Sequence, residues 1–164
     1  MYKVELPNEV KIPRITLEEA HKILLEKYNK KSPIGNIDAK GEELICDYVK
    51  KEYGTEFVFL TKYPVAKRPM YTMPDDEDKT LTKSFDLIYD GLEITTGGQR
   101  INDYEMLKEN IIKFGLNPED FDFYLDTFKY GMPPHGGFAI GLERLTMKIL
   151  KLSNIREATL VPRD

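Results

Sequence analysis

Two carboxylates and a run of glycines are the residues of this chain whose spacing could do chemistry. Asp86 and Glu93 lie on either side of the Asp90-Gly91 dipeptide, within Ser84 to Tyr89 and Leu92 to Thr96. Asp-Gly between two apolar, β-rich runs is the strongest short hairpin signal. With a two-residue loop, Tyr89 faces Leu92, Ile88 faces Glu93, Leu87 faces Ile94 and Asp86 faces Thr95. Opposite residues share a face, as do residues two apart. Asp86, Ile88, Glu93 and Thr95 are therefore predicted on one side. Phe85, Leu87, Tyr89, Leu92 and Ile94 fall on the other, which reads as core. The two carboxylates become diagonal neighbours about 7–8 Å apart at the backbone, within reach of one divalent ion. On a solvent-facing sheet they would be surface polarity alone. Ile88 on the same face, with aromatic-rich helices downstream, implies a sheet covered on both sides, where such carboxylates need a cation or an arginine. Gly97-Gly98 then breaks the strand, and Gln99-Arg100 follow at once.

The glycine run is Gly136-Gly137-Phe138-Ala139-Ile140-Gly141, leading into Leu142, Leu145, Ile149 and Leu152 at spacings of 3, 4 and 3. That repeat predicts a helix with one buried stripe. Glycine lets a backbone approach a ligand, and a helix N-terminus offers free N–H groups and a positive dipole end to phosphate. Arg144, in the first turns, can lie flat on an aromatic ring or grip a phosphate. A glycine turn before a buried helix also serves packing alone, so its ligand-binding meaning depends on the hairpin upstream. His135 sits in the stretch GMPPHGG, read as a loop leading into the glycines. A histidine in such a loop is free to act, whereas His21, in mid-helix, reads as structural.

The elements that must position these groups follow in order. Residues 1–14, with Pro7 and Pro13, read as an arm or linker, and residues 15–164 as one domain. Thr16 and Glu19 form a capping box before a helix that runs to about Tyr28. Asp38 caps a second helix, stopped near Gly54. Glu56 to Tyr63 reads as a buried strand. Pro64 to Lys83 is a long excursion, and its acidic run Asp75 to Asp78 reads as a solvated loop without calcium-loop spacing. A third helix starts at Asn102 or Asp103 and ends at Gly115; Asn117-Pro118-Glu119-Asp120 opens a fourth.

Composition narrows the function classes. At 164 residues, 41% hydrophobic and 32% charged, the chain suits one ordinary globule. It should bury roughly 68–70% of its unfolded surface. It has no apolar run near the length of a membrane span and no signal-peptide core. The single cysteine, Cys46, excludes an internal disulfide framework and a cysteine-based zinc site. A cytoplasmic setting is expected. A net charge of −4 argues against broad phosphate contacts with nucleic acid, while leaving room to handle an RNA end within a larger assembly.

Three stretches together, SFDLIYDGLEITTGGQR, FKYGMPPHGGFAIGLERL and NIREATLVPRD, resemble the class II aspartyl-tRNA synthetases of archaeal and eukaryotic type. The resemblance covers roughly residues 12–164 and is to the C-terminal half of the catalytic domain. GGFAIGLERL after PPHGG resembles the family's third motif. The asparaginyl enzymes are the nearest competitor, and LEITTGG with Gly-Gly-Gln-Arg favours the aspartyl branch. The resemblance implies an α+β fold, an antiparallel sheet flanked by helices that binds ATP and aspartate with magnesium between them. It assigns Glu93 to magnesium and ATP, Asp86 to the same metal cluster, and Thr96 to magnesium and aspartate. Thr96 stands where the family usually has serine. Arg100 would pair with the substrate side-chain carboxylate, His135 would lie near the aspartate pocket, and Gly141, Leu142, Glu143 and Arg144 would form the ATP-binding segment. Glu93 and Arg144 are the expected catalytic pair. Strict alternation turns Thr96 away from Glu93, so a twist or bulge is expected at Gly97-Gly98.

No segment resembles the family's first motif, which builds the dimer, or its Phe-Arg-x-Glu second motif. The anticodon-binding barrel is also absent. The expectation is a fragment or truncated relative, a poor enzyme alone, with tRNA reached only through other parts, a complementary synthetase half or a homo-oligomer. The alternatives are a non-catalytic module that binds an amino acid, an adenylate or a partner, and an asparaginyl-tRNA synthetase or asparagine synthetase-like relative.

Overall fold

The computed structural model describes residues 11–161. Most of the arm predicted over residues 1–14 lies outside them, but its end joins the sheet. Arg14–Thr16 forms β1, and the Pro13 carbonyl accepts from the Phe59 N–H at 2.9 Å. Four more strands follow: β2 (Phe57–Thr61), β3 (Ser84–Tyr89), β4 (Leu92–Arg100) and β5 (His135–Ile140). They form one sheet in sequence order, with β1 parallel to β2 and every other pair antiparallel. The α+β class and the antiparallel sheet stand, with one parallel edge pair added.

The first two helices start and stop as their caps dictate. Helix α1 (Leu17–Tyr28) opens on the reciprocal Thr16–Glu19 capping box. Helix α2 (Ala39–Tyr53) opens on Asp38, whose carboxylate accepts from the Gly41 N–H at 2.8 Å, and closes at Gly54 in the left-handed region. Each such cap contributes about 1 kcal/mol. Both helices lay their apolar stripes on the side of the sheet carrying Val58, Leu60 and Ile88; Leu24, Ile45, Val49, Val58 and Leu60 are fully buried there.

The core is thus on the side of Asp86 and Ile88, opposite to the side predicted. Ile88 is 1% exposed and Asp86 6%, while Phe85 and Leu87 on the other side are half-buried. The expected cover on both sides is therefore supplied by helices on one. Opposite them lie aromatic pairs: Phe57 stacks on Tyr89 at 4.2 Å, and Phe59 meets Phe85 edge-on at 5.5 Å.

Helices α3 (Tyr104–Lys113) and α4 (Asp122–Lys129) build a second core of Leu107, Ile111, Leu125 and Phe128 around Ile101. Asn117-Pro118 opens a single 3₁₀ turn, Pro118–Phe121, before α4 begins. Helix α5 (Leu142–Ile149) follows β5 directly. The predicted loop at His135-Gly136-Gly137 is therefore strand, because its backbone completes a ladder with Gly98, Gln99 and Arg100. The stripe predicted as buried on α5 is only partly so, with Leu142 at 69% exposed and no α5 side chain fully buried. No helix among the described residues is long and apolar enough to cross a membrane.

Candidate active site

The hairpin turn forms as its sequence dictates. Asp90 (φ 47°) and Gly91 (φ 75°) are both left-handed, as a two-residue turn joining right-twisted strands requires. A side chain at Gly91 would also stand 3.0 Å from the Glu43 Cα, so the hairpin tip rests against the start of α2. Tyr89 pairs with Leu92 and Ile88 with Glu93, as predicted. The register then shifts by one: Leu87 pairs with Thr95 and Asp86 with Thr96. Ile94 is the extra residue of a β-bulge, and it lies three residues before the Gly97-Gly98 pair where a bulge was expected. Thr96, not Thr95, consequently shares the face of Asp86.

That face carries a compact polar cluster. Thr96 Oγ1 donates to Asp86 Oδ1 at 2.6 Å, and Arg68 reaches across with Nη2 on Asp86 Oδ2 at 2.7 Å and Nη1 on Thr96 Oγ1 at 3.1 Å. The Arg68 guanidinium also lies 3.7 Å from the centre of the Tyr63 ring. The Arg68–Asp86 pair is largely buried, with side chains 13% and 8% exposed. Arg68 is thus the arginine that the buried Asp86 carboxylate needs. Burial, with the Asp86 charge beside it, holds the Tyr63 phenol protonated well beyond its ordinary range.

Glu93 is held from two sides. Arg144 Nη1 donates to its carbonyl at 2.8 Å and to Oε1 at 3.3 Å, and Glu42 Oε2 accepts from its N–H at 3.2 Å. Burial, and then the charge of Asp86, raise the Glu93 carboxyl, with Arg144 and Arg68 opposing. Glu42 is pushed up to about 7, chiefly by burial. Gly141, which caps α5, donates its N–H to the Ile94 carbonyl at 2.8 Å, tying the start of that helix to the bulge. Leu142, Glu143 and Arg144 follow as the first turn of α5.

Beside this cluster lies a cavity of about 250 Å³, lined by Arg68, Tyr71, Thr96, Gly98, Arg100 and Gly137 among others. The Arg100 guanidinium sits 5.0 Å from the centre of the Tyr71 ring. Unlike Arg68 and Arg144, Arg100 has no carboxylate partner among the described residues. Glycine is required nearby by packing: a Cβ on Gly97 would fall 2.6 Å from that of Phe138 and 2.8 Å from the Gly137 carbonyl. His135 pairs with Arg100 across the ladder but does not line this cavity; its Nδ1 lies 3.0 Å from the Pro133 carbonyl.

The sequence-predicted residues thus form two neighbouring groups. Asp86, Thr96 and Arg100 are joined through Arg68 and the cavity, and Glu93, Gly141 and Arg144 are joined at the bulge. Arg68, Tyr63, Tyr71 and Glu42 were missed. The first three lie on an excursion or strand end with no periodicity to mark them, and Glu42 reads as an ordinary acid in the first turn of a helix. Among the described residues no three His, Cys, Asp or Glu side chains are grouped to hold a metal ion. Glu93, Asp86 and Thr96 offer only oxygen donors, with the Asp86 charge felt at Glu93. Asp86 and Thr96 are here engaged with Arg68, so they would have to exchange that partner for a metal ion. This donor set fits magnesium, which is bound through one or two carboxylates together with substrate phosphates.

Comparison with known proteins identifies the family. The family described as tRNA synthetases class II (D, K and N) matches residues 2–164. The aspartate–tRNA(Asp/Asn) ligase of Aeropyrum pernix is 52% identical over the whole chain, which covers 38% of that protein. The aspartate–tRNA(Asp) ligase of Pyrococcus furiosus is 48% identical over 99% of the chain, which covers 37% of its length. Among solved structures, the aspartyl tRNA synthetase of Entamoeba histolytica superposes with a TM-score of 0.89 at 37% identity, covering 97% of this chain and 33% of the other. The asparaginyl-tRNA synthetase of Pyrococcus horikoshii complexed with asparaginyl-adenylate gives 0.83 at 33% identity, covering 93% and 35%. The chain spans little more than a third of the length of these curated relatives. In sequence and in shape, the chain belongs to the class II tRNA synthetases of the D, K and N group.

Proposed function

We propose that this chain carries the aspartate pocket and one wall of the ATP site of an aspartate–tRNA ligase. The observation that carries the reading is Arg100, an arginine in a cavity, set against Tyr71, with no carboxylate of its own among the described residues. A planar guanidinium in that setting suits the side-chain carboxylate of aspartate, which it can grip with two parallel hydrogen bonds. Thr96, which lines the same cavity, completes the proposed amino-acid side, and His135, paired with Arg100 across the ladder, lies at its border. Glu93, Gly141, Leu142, Glu143 and Arg144 form the proposed ATP side, with the Arg144 guanidinium set against adenine and phosphate.

Glu93, Asp86 and Thr96 would hold magnesium, which supplies charge neutralisation to the phosphates when bound. The reaction is attack of the aspartate α-carboxylate on the α-phosphorus of ATP, giving aspartyl-adenylate and pyrophosphate, followed by transfer of aspartate to a tRNA 3′ end. This chain contributes positioning and charge complementarity, which dominate such chemistry. Full activity, tRNA binding and a cytoplasmic role belong to an assembly in which the remaining length of the relatives is also supplied.

Calorimetric titration of the chain with aspartate, asparagine and ATP tests the reading. Aspartate and ATP should bind, with asparagine weaker than aspartate. Preference for asparagine would move the chain to the asparaginyl branch, and no binding of any of the three would overturn the site. Arg100→Lys should weaken aspartate by about tenfold or more and ATP by less, because lysine cannot offer the planar fork. Unchanged aspartate affinity would remove Arg100 from the pocket.

A further inference from the structure

Glu42 has a place in this site that its position in the sequence does not suggest. It lies in the first turn of α2, on a helix fixed at its start by the Asp38 cap and pressed at Glu43 against the hairpin tip. Its side chain is drawn inward, and Oε2 accepts from the N–H of Glu93 at 3.2 Å. The carbonyl of the same residue is taken by Arg144 Nη1 at 2.8 Å. Both main-chain polar groups of Glu93 are therefore held by side chains, one from α2 and one from α5. This occurs immediately before the bulge residue Ile94, where the β3–β4 ladder shifts register. A bulge disrupts the ladder locally, leaves its extra residue unpaired and re-aims the neighbouring side chains.

We propose that Glu42 is a positioning residue for the ATP side of the site: by holding the Glu93 N–H it fixes the bulge and the aim of the Glu93 carboxylate and Arg144 guanidinium. It acts through Glu93 and touches no ligand itself. The groups that face it are Glu93 on β4, Asp86 on β3, Arg144 on α5, and Cys46 on its own helix, with Tyr63 behind Asp86. This role rests on the proposed ATP site, but the hydrogen bond on which it depends can be read without any ligand.

The test uses the 164-residue chain and its Glu42→Ala and Glu42→Gln variants, with two readouts. The first is hydrogen exchange of the Glu93 amide followed by NMR. Exchange should speed up at least about tenfold in Glu42→Ala, relative to amides in α1, and return towards the parent rate in Glu42→Gln, whose amide oxygen can still accept. The second is titration with ATP and, separately, with aspartate. Glu42→Ala should weaken ATP by about tenfold and aspartate by less than about twofold, with Glu42→Gln restoring ATP binding. Parent-like ATP affinity in Glu42→Ala would overturn the proposal, as would equal weakening of both ligands without rescue by glutamine. If the parent itself fails to bind ATP, the functional reading falls, and the proposed ATP role of Glu42 falls with it; Glu93 exchange then decides whether Glu42 fixes the bulge at all.

Discussion

The two ends of the sheet are finished to different degrees. At the β1–β2–β3 end, α1 and α2 close over Val58, Leu60 and Ile88, and Leu24, Ile45 and Val49 are completely buried. At the β5 end, Phe138 is 68% exposed, Ile140 54% and Leu142 69%, and no strand lies beyond β5 among the described residues. The candidate site straddles the two. Asp86, Arg68 and Tyr63 belong to the closed end, while Arg144 and its helix belong to the open one. The core under α1 and α2 therefore lies at one end, and part of the candidate site is carried by the other. Segments with few buried apolar contacts open most readily.

The comparison can be broken most directly by cutting side chains at each end. Leu24→Ala should cost about 2–5 kcal/mol in urea denaturation, as a fully buried leucine does. Leu142→Ala should fall within about 0.5 kcal/mol of the parent. Equal losses would show that Leu142 is packed as closely as Leu24, and would remove the contrast.

Arg68→Ala tests whether the site itself belongs to the closed end. It should cost about 3–5 kcal/mol by leaving Asp86 charged, buried and unpaired. Much of that loss should return when Asp86→Asn is added, and a cost below about 1 kcal/mol would mean that water replaces the arginine. The smallest effect is one of rate. Cys46 is buried on the inner side of α2, and burial pushes its thiol up to about 11. At pH 8 about one such thiol in a thousand is ionised. Alkylation of the native chain should be slow and accelerate with urea, whereas a Leu142→Cys variant should label at once at its new position. Immediate labelling of Cys46 would show that α2 lifts easily, and would weaken the contrast.

The sequence carried most of the local structure, because caps and turns are written in single residues. Thr16 with Glu19, Asp38, Gly54 and Asp90-Gly91 each act where their chemistry requires. The face of the sheet that became core was misread because alternation separates two faces without saying which one the helices choose. Phe85 and Leu87 outnumber Ile88 in bulk, yet α1 and α2 pack on Ile88. The bulge was anticipated from the conflict between Glu93 and Thr96 but placed too late. Glu93, Ile94 and Thr95 all fit a regular strand, so nothing local marks the irregular residue. Arg68 and Glu42 were illegible for a different reason: each acts across a long loop or from another helix, and contacts at that sequence separation leave no periodic trace. The α5 stripe was read as buried and is only partly so, because periodicity gives the direction of a stripe and not how much covers it.

The bulge at Ile94 also decides which residues of this hairpin share a face. Beyond it, Thr96, Gly98 and Arg100 face the cavity because β4 uses one residue more than β3 over this step. Drawing Ile94 into a regular ladder would set Thr95 against Asp86 and turn those side chains to the opposite face, whereas deleting Ile94 would keep Thr96 against Asp86 and leave them where they are. Ile94 is thus a residue whose loss the strand could absorb without turning over the side chains that follow. In descendants of this sequence, a one-residue shortening at the bulge would keep Glu93, Thr96 and Arg100 on one face, while loss of one residue between Thr96 and Arg100 would not.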